Sequence, residues 1–220
     1  MADLSILYLT LNRLPNRFAA FQYSTLLKAT KDFPILTISR KLMPGWNILD
    51  TEEPGYINIY RQMLRGAKLC ETEYVAVAED DCLYHADHFT FHRPEIFAYD
   101  QSRYALFTWD EPMYHWRNRY SNSTLIARRD ALIETLEKRF EKWGDAWPSV
   151  GEVGRKRVDK ALGLPHIPAE EVYCNVATIQ MNHVFANEER QRRKRKSYGV
   201  HRAYDIYYWG KAKQYQDLWI

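Results

Sequence analysis

The stretch "YVAVAEDDCLY", Tyr74 to Tyr84, decides how the chain is read. Five residues that suit a buried strand run straight into Glu79, Asp80 and Asp81, after which Leu83 and Tyr84 restore the apolar character. Three adjacent carboxylates repel one another, and burial raises the cost of ionising each of them. Such a run is either a solvated turn or the oxygen-rich end of a strand that faces a cation. The flanking sequence separates these readings.

Working back from the acids, "GYINIYRQMLRGAKLCETE" spaces Ile57, Tyr60, Leu64 and Ala67 along one helical face. Before it, "FPILTISR" reads as a short strand with Pro34 at its start. Earlier still, "LPNRFAAFQYSTLLKAT" places Ala19, Tyr23, Leu26, Leu27 and Thr30 at helical spacing, and "LSILYLT" is a strand buried on both faces. Strand, helix, strand, helix, strand is the alternation of an α/β sheet with a parallel core, which binds ligands beyond the carboxyl ends of its strands. "TLNR" and "EDD" both fall at such ends. There the cation reading gains weight, because Mg²⁺ or Mn²⁺ is commonly held by one or two carboxylates plus substrate phosphates.

Beyond the acids, "HADHFTFH" has the look of a metal cluster, but His85, His88 and His92 read better as a loop and short helix following the strand. "YALFTW" and "STLIA" read as strands, the second leading into "RDALIETLEKRFEKW" with Leu132, Ile133, Leu136, Phe140 and Trp143 on one face. A loop "GDAWPSVGEVG", a short helix Val153 to Leu162, and a late strand "EVYCNVATIQMNH" ending at His183 follow. At 220 residues the expectation is one mixed α/β domain over 1–189, with a parallel core flanked by helices, and a basic and aromatic C-terminal extension over 190–220.

The charge is unevenly placed. "RQRRKRK", Arg190 to Lys196, holds six basic residues and no acid, so the rest of a chain of net +3 sums to −3. A solvated surface segment and a polyanion contact are both open for this block; the aromatic-rich "SYGVHRAYDIYYWGK" beside it favours the second. No segment approaches the roughly 18 continuous apolar residues of a membrane span. The opening "MADLSILYLTLNR" lacks a basic leader, and three cysteines, Cys70, Cys82 and Cys174, fit free thiols in a reducing compartment. Cytoplasm is the expected location, the host's if the chain is viral.

With these residues in place, "LTLNRLPNRF" and "INIYRQMLRGAKLCETEYVAVAEDDCLY" resemble the nucleotide-sugar glycosyltransferases of the GT-A fold, a Rossmann-like family whose metal motif is written Asp-x-Asp. The likeness is closest in the first half. It implies a nucleotide-sugar-binding half over 1–84 and an acceptor half over 85–189. Thr10, Asn12 and Arg13 match the segment lining the nucleotide; a polar turn capping the next helix is the plainer alternative for Asn12. Asp81 matches the metal ligand, Asp80 a ribose or water-mediated contact, and Glu79 the place of a first acid. Arg61 and Arg65 are candidates for the diphosphate, Asp50 for the nucleobase, and His183 for a third metal ligand, with Mn²⁺ or Mg²⁺ as cofactor and a UDP-sugar favoured as donor.

An inverting hexosyltransferase needs a general base for the acceptor hydroxyl. Two candidates stay open: Asp110, in "FTWDEP", and Glu152, where the family's usual second acid is replaced by Val153. Trp109 and Glu111 are candidates for the acceptor, and Trp109, Trp116 and Trp147 for apolar walls or core. The basic residues Arg192, Arg193, Lys194, Arg195 and Lys196 suggest a polyanionic acceptor, since phosphate neutralisation releases counterions. A short GT-A enzyme with a basic arm resembles virus-encoded glycosyltransferases acting on hydroxymethylated pyrimidines in DNA, bases reached by flipping or groove entry. A metal-dependent nuclease and a noncatalytic nucleic-acid-binding module are the alternatives from other classes.

Overall fold

A computed structural model describes residues 2–183 and 201–219. The first half runs β1 (Leu4–Thr10), α1 (Asn16–Ala29), β2 (Ile35–Ser39), β3 (Trp46–Leu49), α2 (Tyr56–Leu69) and β4 (Tyr74–Glu79). Then come β5 (Cys82–Leu83), α3 (Ala86–Thr90), β6 (Phe97–Asp100), β7 (Arg103–Phe107), β8 (Tyr114–Trp116), β9 (Leu125–Arg128) and α4 (Arg129–Trp143). The chain continues through α5 (Lys156–Leu162), β10 (Glu170–Val172) and β11 (Thr178–Asn182), and after the undescribed segment through β12 (Arg202–Ala203), β13 (Asp205–Ile206), β14 (Gly210–Lys211) and α6 (Ala212–Gln216).

The expected α/β architecture with a parallel core is present. A seven-stranded sheet has the order β10-β6-β9-β4-β1-β2-β3, in which β4, β1, β2 and β3 are mutually parallel and β9 runs antiparallel between β4 and β6. A second sheet has the order β12-β8-β7-β11-β5. Every residue of β1 is buried, as its continuous apolar run requires of a strand covered on both faces. One core cluster joins Leu7, Val75 and Val77 to α2 and α4, and another joins Leu4, Ile6 and Ala76 to Leu26 of α1. Gly66 lets α2 close on the sheet, because a Cβ there would stand 2.2 Å from Leu7 Cδ1.

The helical faces are rotated relative to the apolar spacing, and polar core residues explain it. On α1 the buried set is Phe18, Gln22, Leu26 and Ala29. Gln22 accepts from the Tyr8 hydroxyl at 2.8 Å and donates to the Cys82 carbonyl at 3.0 Å. On α2, Asn58 and Gln62 turn inward because both donate to Asp50 Oδ2, at 2.9 and 2.7 Å. Satisfied amides of this kind sit inside without the penalty of an unpaired polar group.

Two further differences concern strands. The late segment expected as one strand is two, β10 in the first sheet and β11 in the second. Between them, Asp87 Oδ2 accepts from the Asn175 and Val176 amides at 2.7 and 3.2 Å, so these groups need no ladder. β3 lacked a sequence signal because it is a short, partly exposed edge strand. The aromatic residues 201–219 are packed on the body: Trp209, Ala212 and Tyr215 share a core with Phe18, Leu106 and Ile179.

Candidate active site

The three acids occupy the seam between the sheets. Glu79 is the last residue of β4, in the first sheet, and Cys82 opens β5, in the second. The chain therefore turns from one sheet to the other across Asp80 and Asp81, which is why an apparently continuous strand is interrupted by carboxylates. Parallel pairing sets Glu79 opposite Leu9 and so lays the acids beside the end of β1. There the Thr10 hydroxyl donates to Asp80 Oδ2 at 2.5 Å and the Asn12 amide donates to Thr10 Oγ1 at 2.9 Å. Asn12 holds a left-handed backbone at φ 53°, a conformation asparagine tolerates better than most residues. Its Oδ1 accepts from the amides of Arg40 and Lys41, both at 2.9 Å, tying the first two strand ends together.

Antiparallel pairing of β5 with β11 supplies the other wall. It sets Gln180 opposite Cys82 and brings His183 Nε2 to 3.9 Å from Asp81 Oδ2. Gln180 Nε2 donates to the same carboxylate oxygen at 3.4 Å, and its Oε1 accepts from Arg103. Arg103 is wholly buried, 1% exposed, and also donates to the Arg119 carbonyl at 3.3 Å. Its positive charge counters that of Glu79. Burial first, then the charges of Asp81 and Asp80, push Glu79 up to about 8. Burial likewise pushes Asp80 up to about 7, against the lowering effect of the Thr10 hydroxyl.

Other residues singled out in the sequence lie at varied distances from this centre. Arg13 is exposed. Asp50 is buried at the end of β3, its Oδ2 engaged by Asn58 and Gln62 and its Oδ1 accepting from the Glu52 amide at 3.4 Å. Arg61 pairs with Asp145 and lies over the Phe140 ring, while Arg65 donates to the Leu49 carbonyl at 3.4 Å. Glu152 is near enough for its charge to add to the rise at Glu79, and it accepts from Arg155 at 3.0 Å. Asp110 Oδ1 accepts from the Glu111 amide at 2.9 Å, and its carbonyl accepts from Gln216 at 2.6 Å. Glu111 accepts from the Tyr204 hydroxyl. Trp109 packs edge-on against Phe107, and Trp147 is buried against Tyr60 and Phe140. Trp116 donates to the Gln101 carbonyl at 2.9 Å. Arg192, Arg193, Lys194, Arg195 and Lys196 lie outside the described residues.

Arg103 and Gln180 were not legible as site residues. Gln180 sits in a strand that reads as apolar, and Arg103 precedes "YALF" as an ordinary polar strand start. The one available signal was a charge at the edge of an otherwise buried strand. The donor set of carboxylates, a hydroxyl and an imidazole fits a hard or borderline divalent ion. Burial first, and the neighbouring acid charges after it, raise Glu79 and Asp80, and an added cation would offset both.

No protein-family model matches the chain, and no curated protein matches it. Among solved structures, it overlaps a glycosyltransferase involved in glycosylation of the major capsid of PBCV-1, with 12% identity, 81% of this chain and 93% of that one covered, and a TM-score of 0.49. A mannosyltransferase from Pyrobaculum calidifontis, in complex with GDP-Man and Mn²⁺, overlaps with 14% identity, 89% and 61% coverage, and a TM-score of 0.44. A Drosophila galactosyltransferase in complex with manganese, UDP-Gal and xylobiose overlaps with 13% identity, 88% and 80% coverage, and a TM-score of 0.40. Among the described residues, no helix is long and apolar enough to cross a membrane.

Proposed function

We propose that the chain is a divalent-metal-dependent glycosyltransferase of the GT-A class, moving a hexose from a nucleotide diphosphate sugar, a UDP-sugar by preference, to an acceptor hydroxyl. The observation that supports this reading is the position and charge of Glu79, Asp80 and Asp81. They lie at the carboxyl end of a central parallel strand, the place where such sheets bind ligands, with the carboxyls of Glu79 and Asp80 held well above their ordinary range. A group of acids in that state is stabilised by an added cation.

In this reading Asp81 and His183 hold Mn²⁺ or Mg²⁺, and Thr10, Asn12, Arg13 and Asp80 line the nucleotide, with Asp50 behind them. When bound, the ion supplies charge neutralisation for the departing diphosphate. Arg103, through Gln180, orients the Asp81 carboxylate, as groups behind a metal ligand commonly do. Glu152 is favoured over Asp110 as the base, since its charge acts on Glu79, whereas the Asp110 carboxylate is engaged by the Glu111 amide. Arg61 and Arg65 would have to leave Asp145 and Leu49 to meet a diphosphate. Trp109 and Glu111 stand for the acceptor. A hydroxymethylated pyrimidine in DNA is the proposed acceptor, and virus-encoded, cytoplasmic action the proposed setting. Both rest on the basic block and cysteine usage of the sequence.

The test is a thermal-shift panel of UDP, GDP, CDP and ADP, each with and without Mn²⁺. A ligand at about 100 times its Kd stabilises by about 2.7 kcal/mol. One diphosphate should therefore raise Tm by several degrees, in the presence of metal alone. No response to any of the four would reject the donor reading and favour the nuclease. Neutralising Arg192 to Lys196 should then weaken binding of hydroxymethylated DNA and flatten its salt dependence, leaving donor hydrolysis unchanged. Unaltered DNA binding would remove the case for that acceptor.

A further inference from the structure

A second group of metal-ligating side chains lies away from the strand-end acids, between α3 and the edge of the first sheet. His88 comes from α3, Asp100 ends β6, and Cys174 follows β10. The three are 1%, 2% and 7% exposed, and one ligand atom from each lies within 4.8 Å of the others. They border a cavity of about 10 Å³, room for one water-sized occupant.

The backbone presents Asp100 in a fixed orientation. Its Oδ1 accepts from the Ser102 amide at 2.8 Å and from the Cys174 amide at 3.3 Å. That leaves Oδ2 facing His88 Nδ1 at 3.3 Å. A charge-assisted contact between such groups normally closes to about 2.7–2.9 Å. Two ligands each about 2.1 Å from a shared tetrahedral ion are instead about 3.4 Å apart. Among the described residues His88 Nε2 is buried with no hydrogen-bond partner, so no second contact there forces the proton onto Nδ1. An imidazole, a carboxylate and a thiol meeting at that spacing form a mixed N, O, S donor set.

We propose that His88, Asp100 and Cys174 form a binding site for a borderline-soft divalent cation of the Zn²⁺ class, with a water in the adjoining cavity as the fourth ligand. Binding replaces the Cys174 S–H bond by a sulfur–metal bond and releases that proton to solvent. At the seam a thiol is also near, but Cys82 Sγ donates to Asp81 Oδ1 at 3.2 Å beside two or more carboxylates that suit Mg²⁺ or Mn²⁺, whereas here one carboxylate stands with an imidazole and a thiol. The ion would pin three segments at the place where the chain leaves the first sheet for the second. This inference stands independently of the glycosyltransferase reading. "HADHFTFH", read from sequence as an ordinary loop and helix, would then contribute one ligand, His88, while His92 borders the cavity and pairs with Glu170 at 2.6 Å.

The test uses the full chain, free of any histidine tag. Zinc content is measured by elemental mass spectrometry after growth with added Zn²⁺, and the chelator-stripped protein is then titrated with Co²⁺. The expected result is about one zinc per chain and a near-ultraviolet thiolate-to-cobalt charge-transfer band with visible bands of a tetrahedral ion. The band should disappear in Cys174→Ser and His88→Gln and persist in Asp81→Ala. It should also persist when Cys70 and Cys82 are both changed to Ser, a variant that keeps the test decisive if Cys174→Ser fails to fold. Absence of zinc and of the band in the wild-type chain would overturn the site, leaving a hydrogen-bonded trio without an ion. A band that survives Cys174→Ser would overturn it equally, by assigning the thiolate to another cysteine.

Discussion

Asp100 and the Glu79–Asp81 group are all carboxylates withdrawn from water, and their surroundings treat them in opposite ways. Asp100 accepts from two backbone amides and faces His88, and these donors outweigh its burial and hold its carboxyl below the ordinary range. Glu79 and Asp80 are both pushed up, by burial first and then by neighbouring acids, Asp81 and Asp80 for Glu79 and Asp81 for Asp80. A buried acid supplied with donors stays ionised with or without an ion; half-buried acids that face one another need a charge from outside. The difference separates a carboxylate that the fold already stabilises without an ion from a group whose own stability rises when a cation arrives. Substitutions can break it at either end.

The largest effect is expected at Asp81. Asp81→Ala should abolish the stabilisation that a nucleotide diphosphate gives in the presence of Mn²⁺, and with it sugar transfer. Calorimetric titration of the same variant should show no metal-dependent diphosphate binding. Full transfer activity in this variant would sink the proposed mechanism.

Next in size is a paired substitution measured without metal at pH 8. Asp100→Asn keeps an acceptor but removes the charge that three donors favour, and should destabilise the fold by about 1–3 kcal/mol. Asp80→Asn removes a like charge from the seam while keeping an acceptor for Thr10, and should raise Tm. Denaturant unfolding of the two variants checks both signs. Shifts in the same direction would show that the two environments do not differ as described.

A pH series sharpens the same contrast. In the unfolded chain Glu79 and Asp80 titrate near 4, whereas in the fold they keep protons up to about 8 and about 7. Over that interval the folded state binds more protons than the unfolded state. Their contribution is therefore fully present below about 4 and is lost as pH rises toward 8. Asp100 works in the opposite sense, losing its contribution on the acid side as pH falls through its depressed value. The metal-free chain should lose a few degrees of Tm between pH 5 and 8, and saturating Mn²⁺ should flatten the trend. A metal-free Tm that rises across this range would contradict the raised carboxyls.

How much of this was legible in sequence follows from range. The alternation of strands and helices is written in local apolar spacing, so β1, α1, β2, α2 and β4 could be read directly and only the edge strand β3 was missed. The acids could be placed at a strand end by the same logic. Their position on a seam between two sheets could not, because it depends on β5 pairing with β11, nearly a hundred residues later. The inward turns of Gln22, Asn58 and Gln62 were hidden for a related reason. An amide reads as surface until its buried partners, Tyr8, Cys82 and Asp50, are brought to it by the fold. The buried trio of His88, Asp100 and Cys174 is the extreme case, assembled from three segments with no common motif.

Gln180 offers the smallest and most specific test. It is neutral, so replacing it changes no charge, yet it links Arg103 to the Asp81 carboxylate. Gln180→Leu should leave β11 paired, since leucine suits a strand, while freeing Asp81 and depriving Arg103 of an acceptor. Loss of a group orienting a metal ligand typically lowers metal affinity by 10- to 100-fold, and the lower figure, about tenfold, is expected for a long 3.4 Å contact. Mn²⁺ affinity read by electron paramagnetic resonance, beside Tm, separates the two roles of the residue. Weakened metal binding at nearly unchanged Tm marks Gln180 as part of the apparatus that completes the seam acids. A fall in Tm with Mn²⁺ affinity intact would make it a packing residue, and the counter-charge of Arg103 would then act on Glu79 alone.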